Sequence, residues 1–211
     1  GEGFRPLLGM LALFGVFLGH LAANLLDDYF DFYCQSPEAR EKLLTQGELA
    51  RGMKCSYLTG GQTTPRRLLG VAVFLCAILL LIGGYLFVQR GWPIVLCAGV
   101  GAVLLFFYSA PPFRLSFHGL GEITVGVIFG PIVMAGVAWS ASGRLDPEVL
   151  LLSIPTGLLV TNILYVHSIL DMNPDRQIRK KTLAVLCGSP QKGLVLLALI
   201  LLGTYISIFF F

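Results

Sequence analysis

Asn24, Asp27, Asp28 and Asp31 stand close together at the end of an apolar run that begins near Pro6. At ~100° per helical residue they fall within about 100° of one another, so one helix presents all of them on one face. Carboxylates at a helix C-terminus oppose the macrodipole, and at a membrane boundary they also cost free energy. A cation is needed to offset both. The water-exposed end of a span would tolerate one or two acids. A one-sided group of acids with an amide one turn earlier suits a divalent cation better, because hard cations take oxygen ligands.

A second acidic group lies at Asp171 and Asp175, in the stretch Tyr165-Val166-His167-Ser168-Ile169-Leu170-Asp171-Met172-Asn173-Pro174-Asp175-Arg176, followed by Arg179, Lys180 and Lys181. His167 and Asp171 are one helical turn apart. Pro174 disfavours helix at Asn173, which puts Asp175 just beyond the helix end. Taken alone, this segment also reads as a capped loop with solvated charges.

The elements that must position these groups are written in the hydropathy. Of 211 residues, 55% are hydrophobic and 13% are charged, and the mean hydropathy is +0.79. Soluble domains average about 25% charged, so the deficit points to a bilayer. Apolar runs able to cross or nearly cross ~30 Å of hydrocarbon fall at 6–30, 68–89, 93–109, 120–140, 149–170 and 193–211. The expected fold is all-α, a polytopic transmembrane helical bundle of about six spans, in one domain over 1–211. Gly126, Gly130 and Gly136 in the fourth run suit close helix approach. The chain starts at Gly1 and ends with Phe209-Phe210-Phe211 inside an apolar run, so we read it as incomplete at both ends.

Alternating the sides of the spans places Arg40, Lys42, Arg51, Lys54, Arg66, Arg67, Arg114, Arg176, Arg179, Lys180, Lys181 and Lys192 on one face. Only Arg5, Arg90 and Arg144 fall on the other. The excess of cations marks the first face as cytoplasmic, and both acidic clusters open onto it. With basic residues confined to loops and a net charge of only +3, a nucleic-acid surface is excluded. Cys34, Cys55, Cys76, Cys97 and Cys187 have no metal-ligand spacing and read as free thiols. A Cys34–Cys55 disulfide is the alternative, disfavoured by a reducing compartment.

Two acidic groups on one membrane face, each beside a cationic loop, match a substrate with a diphosphate and a long apolar tail. Mg²⁺ would bridge carboxylates to phosphate oxygens, and Lys and Arg would neutralise the remaining charge. The hydrocarbon would enter the bilayer. Departure of the diphosphate from an allylic carbon leaves a cation that aromatic faces such as Tyr29, Tyr108 or Tyr165 could stabilise.

The segments NLLDDYFD (24–31), YSAPPFRLSFHGLGE (108–122) and DMNPDRQIRKKTLAVLCG (171–188) resemble the UbiA superfamily of intramembrane prenyltransferases. Within it they look most like the 1,4-dihydroxy-2-naphthoate prenyltransferases of menaquinone synthesis. The resemblance implies a nine-span bundle, of which this chain would hold the second to seventh helices. It also implies Mg²⁺ at two Asp-rich motifs and C-prenylation of an aromatic acceptor by a prenyl diphosphate, at a bacterial-type inner membrane with the site facing the cytoplasm. Carried over, Asn24, Asp28 and Asp31 match the first motif and Asp171 and Asp175 the second, with Asp28 and Asp171 catalytic and Asp27 a further metal ligand. Arg66 and Arg67, in LTGGQTTPRR (58–67), and Lys180 and Lys181 are then the diphosphate-binding candidates. Tyr29, Tyr108, Arg114, His118 and Tyr165 are the candidates for contact with acceptor or prenyl chain, with His118 and Glu122 flanking the HGLGE turn. Asp27 stands where the naphthoate branch commonly has Asn, Asp31 follows Asp28 by three residues where the superfamily more generally has four, and Pro174 interrupts the second motif. These departures leave 4-hydroxybenzoate open as the acceptor.

Two other classes share parts of this pattern. Asp27-Asp28-Tyr29-Phe30-Asp31 also fits the DDxxD of soluble isoprenyl diphosphate synthases, whose helices have charged outer faces that these runs lack. A membrane transporter with an acidic cation site would hold acids near the bilayer midplane, and no acid lies mid-run here.

Overall fold

The structure, a computed structural model, describes residues 3–34, 37–45 and 55–209. Among them it is helical, without a β-strand: α1 (Pro6–Cys34), α2 (Pro37–Thr45), α3 (Ser56–Thr59), α4 (Pro65–Arg90), α5 (Trp92–Ser109), α6 (Gly121–Ser142), α7 (Pro147–Leu170), α8 (Met172–Gln177), α9 (Leu183–Cys187) and α10 (Pro190–Ile208). Of these, α1, α4, α5, α6, α7 and α10 are long and apolar enough to cross a membrane. That is the all-α polytopic bundle of six spans expected. Arg51, Lys54 and the side chains of Cys34 and Arg40 lie outside the described residues. Cys55, Cys76, Cys97 and Cys187 are free thiols.

Local chemistry sets the helix starts. Thr64 and Ser189 each stand before a proline at the first helical position, and their hydroxyls accept from Arg67 N and Lys192 N. This is the cap-then-proline pattern, in which proline's missing N–H removes no helix bond. At 1.5 Å per residue α1 is ~43 Å long, so its last turns, which carry the acids, extend beyond a ~30 Å hydrocarbon layer.

Helix α1 packs between α4 and the second half of α6, while α7 packs against the first half of α6 and against α10. The α6–α7 seam is the tightest. Gly157 faces Gly126 and Gly130 so closely that a methyl at 157 would lie 2.6 Å from the Gly126 carbonyl oxygen, and one at 130 would lie 2.9 Å from Gly157 Cα. Only glycine permits that approach. Immediately beyond, Pro131 sits in a π turn, Ile128–Ile132, inside α6. The wider turn absorbs the backbone bond that proline cannot make.

Each end of the bundle is stitched. At one, Arg90 donates to the carbonyls of Gly3, Ser140 and Ala141 at 2.7–2.8 Å, and Trp139 Nε1 donates to Arg90 O at 3.0 Å. At the other, Lys181 N donates to Phe117 O at 3.1 Å, with a short parallel bridge between His118 and Lys181. The 110–120 and 171–182 connections are thereby held against each other at the cation-rich end.

Candidate active site

At that end a cavity of about 150 Å³ is lined by residues from every helix bearing a candidate acid: Asp27 of α1, Tyr108 of α5, Ser116 and Glu122 around the start of α6, His167 and Asp171 at the end of α7, Asp175 of α8, and Lys180 and Thr182 beyond it. The last turns of α1 bring Asp27 in, where Ser109 Oγ donates to its Oδ1. Asp171 closes α7 with backbone angles φ −89° and ψ 10°, and its amide still donates to His167 O at 2.9 Å. Asp175 lies beyond the end of α7, as the proline implies, but within the short helix α8, and its amide donates to Asp171 O at 2.9 Å. Pro174 is compatible because it occupies the first turn, where an N–H has no helical acceptor. One turn therefore separates the two acids of the second cluster after all.

Among the described residues, four carboxylates, from Asp27, Glu122, Asp171 and Asp175, line this cavity against one ammonium, that of Lys180. Asp175 and Glu122 are buried, as is Asp31 nearby on α1. Carboxylates out of water demand compensation, and an all-oxygen donor set of this charge suits Mg²⁺ in chemistry. Among the described residues no three His, Cys, Asp or Glu side chains are grouped closely enough to ligate one ion unaided. Ligand oxygens would have to complete any coordination shell.

The first cluster is divided by the packing of α1. Asp28 turns to the other flank, where Tyr57 Oη donates to its Oδ2 at 2.5 Å and Cys55 Sγ lies 3.6 Å from its Oδ1. The Asn24 amide pairs with His20 Nε2 at 3.4 Å. Tyr29 packs with Cys55, Leu58 and Leu68 and edge-on against Tyr33, away from the cavity. Arg66 and Arg67 are exposed at the start of α4 and line neither cavity.

A second cavity, of about 430 Å³, is lined by Tyr33, Arg114, Phe117, His118, Arg179 and Lys181 and carries no acid. Arg114 holds a left-handed backbone, φ 42°, and its guanidinium lies 5.6 Å from the Phe117 ring, with Lys180 Nζ 5.5 Å from the same ring. Phe117 therefore stands where the acidic and cationic cavities adjoin. Lys180 and Tyr108 belong to the first, and Lys181, Arg114 and His118 to the second. Tyr165 lines neither. It is fully buried in a core with Met172 and Ala184, its hydroxyl 3.4 Å from Cys187 Sγ, in space left by Gly193.

Sequence reasoning did not single out Ser109, Ser116, Tyr57 or Thr182. Serine and tyrosine hydroxyls carry no spacing signal, and only the packing places them beside the acids. Glu122 stood at the edge of a noted motif, but its burial could not be read from a short turn.

The UbiA prenyltransferase family model matches residues 1–211. The chain is 28% identical over 192 residues to the 1,4-dihydroxy-2-naphthoate octaprenyltransferase of Bacillus subtilis (strain 168), covering 90% of this chain and 58% of that protein. It is 29% identical over 188 residues to the enzyme of the same name from Escherichia coli (strain K12), covering 88% of this chain and 59% of that protein. A 2-carboxy-1,4-naphthoquinone phytyltransferase of Synechocystis sp. is 30% identical over 100 residues, which is 47% of this chain and 33% of that one. The chain thus spans less than two thirds of the length of these relatives, and no solved structure matches it. With the match running through all six spans and through each segment that lines the acidic cavity, the chain belongs to the UbiA prenyltransferase family.

Proposed function

We propose that this chain carries the substrate-binding end of a Mg²⁺-dependent prenyltransferase, which moves a polyprenyl group from its diphosphate to an aromatic acceptor of the 1,4-dihydroxy-2-naphthoate type. The observation that carries the reading is the meeting of Asp27 with Asp171 and Asp175 in one cavity beside Lys180, at the cation-rich end of an apolar bundle. In this reading Asp27, Asp171 and Asp175 would hold Mg²⁺, with Asp31 nearby on α1, while Asn24 is engaged by His20, and Asp28 by Tyr57 on the other flank. When bound, Mg²⁺ would neutralise the diphosphate and ease its departure as a leaving group. Lys180 and Lys181 offer ammonium groups to phosphate oxygens, and Arg66 and Arg67 supply further positive charge at the start of α4. The prenyl chain lies along the lipid-facing flanks of the spans. Tyr108, on the cavity wall, presents an aromatic face to the positive charge that develops on the allylic carbon as the C–O bond breaks. Arg114 and His118, in the adjoining cationic cavity, provide a counter-charge for an acceptor carboxylate. The excess of cations at this end supports a site that faces the cytoplasm at a bacterial-type inner membrane.

The names of the two long-matching relatives support the naphthoate acceptor. Asp27, where that branch commonly has Asn, makes 4-hydroxybenzoate the acceptor to test against it. Membranes bearing the full-length protein, supplied with Mg²⁺ and a polyprenyl diphosphate, are expected to prenylate 1,4-dihydroxy-2-naphthoate with loss of carbon dioxide and to leave 4-hydroxybenzoate unchanged. Product from 4-hydroxybenzoate alone would refute the acceptor and keep the reaction. Product from neither would refute the reaction.

A further inference from the structure

Among the described residues, two polar atoms in the acidic cavity have no hydrogen-bond partner. Glu122 is 1% exposed and Ser116 is 2% exposed. Glu122 Oε2 and Ser116 Oγ are both buried without a hydrogen-bond partner, and both residues line the cavity. The rest of Glu122 is fixed. Its Oε1 accepts from Leu183 N at 3.2 Å, and its backbone oxygen accepts from Thr161 Oγ1 at 3.2 Å. Gly121, beside Glu122, lets Ser116 and the Tyr108 ring approach the start of α6, since a methyl there would lie 3.0 Å from Ser116 Cα and 3.4 Å from Tyr108 Cε2. A buried carboxylate oxygen and a buried hydroxyl left unbonded carry a desolvation cost that no described residue offsets. A ligand group that bonds both would offset it.

The chemistry of that group follows from the pair. A carboxylate oxygen only accepts, whereas a serine hydroxyl both donates and accepts. A phosphate oxygen could take the serine hydrogen but would be repelled by Glu122. A hydroxyl on an aromatic ring satisfies both, donating its hydrogen to Oε2 and accepting from Oγ. We infer that Glu122 and Ser116 hold a ring hydroxyl of the aromatic acceptor, orienting the ring beside Tyr108. This rests on the prenyl-transfer reading above and assigns its acceptor subsite. It also gives a source of selectivity, because a site built to bond a hydroxyl rejects an analogue that lacks the hydrogen.

The test uses the full-length protein, with 1,4-dihydroxy-2-naphthoate and its mono-O-methyl ethers as competing acceptors. The wild type is expected to transfer to the free hydroxyl form at least about 30-fold better than to one of the ethers. Glu122→Gln, which keeps the volume and an acceptor for Leu183 N, is expected to raise the acceptor KM by about 10-fold or more. It should also lose most of that discrimination, while the KM for prenyl diphosphate and the Mg²⁺ concentration for half-activation stay within about twofold. Ser116→Ala should show the same pattern more weakly. If Glu122→Gln leaves the acceptor KM and the discrimination unchanged, or shifts the Mg²⁺ requirement instead, the assignment is overturned. If Glu122→Gln does not fold, Ser116→Ala decides by the same pair of acceptors, and unchanged discrimination refutes the subsite. Wild-type protein that transfers to neither form overturns the reaction itself and this assignment with it.

Discussion

Asp171→Asn in the full-length protein is expected to lower the rate of prenyl transfer by about 10³-fold or more, as removal of one principal charge-stabilising group does in other active sites. Such a loss corresponds to roughly 4 kcal/mol of transition-state stabilisation. The fold should survive. Among the described residues no hydrogen bond or ion pair holds the Asp171 carboxylate, which is only part-buried on the cavity wall. Its structural work is done by the backbone, whose amide and carbonyl join α7 to α8. Relieving one of the cavity's four negative charges should leave stability equal or slightly higher, as when strained functional sites are neutralised. Radiolabelled prenyl transfer measured beside a thermal melt separates the two effects. Near-wild-type turnover with Mg²⁺ present would remove Asp171 from the site.

The second large effect concerns packing. Gly157→Val is expected to destabilise the protein by about 3 kcal/mol or more, because the added carbons meet backbone and not a side chain that can swing aside. A methyl at this position already lies 2.6 Å from the Gly126 carbonyl oxygen. The melt should fall by about 10 °C and activity should fall with it, since α6 brings Glu122 and α7 brings Asp171 to the same cavity. Gly84→Ala is the control. A methyl at Gly84 meets nothing within 4 Å, and alanine is the better helix former. A melt for Gly157→Val that matched this control would show that the α6–α7 seam is looser than described.

The six spans were legible because lipid demands long uninterrupted apolar helices with every backbone bond satisfied internally. Their ends differ from the hydropathy runs by a few residues. The caps at Thr64 and Ser189 start α4 and α10 before the apolar stretch begins, and α1 runs on through its acids to Cys34. That both acidic clusters lie at one end of the bundle was also legible, since they close the first and fifth spans, which run in the same direction when successive spans alternate. What sequence could not supply was rotation. Asp27 and Asp28 share a helix face to within one residue's turn, and only the packing of α1 between α4 and α6 sends the first toward the cavity and the second toward Tyr57. The same limit applies to Tyr165. Its place in an aromatic series suggested a wall of the site, while the gap left by Gly193 draws it into the core of α7, α9 and α10. Burial of Glu122 and Ser116 depends on a turn folded back onto Gly121 and on the pairing of Phe117 with Lys181, contacts between segments far apart in sequence.

Binding of a prenyl diphosphate through Mg²⁺ in the acidic cavity can be read by calorimetric titration of the full-length protein in lipid nanodiscs with a non-reactive prenyl thiolodiphosphate. Binding is expected to tighten at least about 10-fold on adding Mg²⁺ and to lose that tightening in Asp171→Asn, consistent with the loss of one ligand to a bridging cation. Equal affinity with Mg²⁺ and with a chelator, in wild type and variant alike, would contradict it.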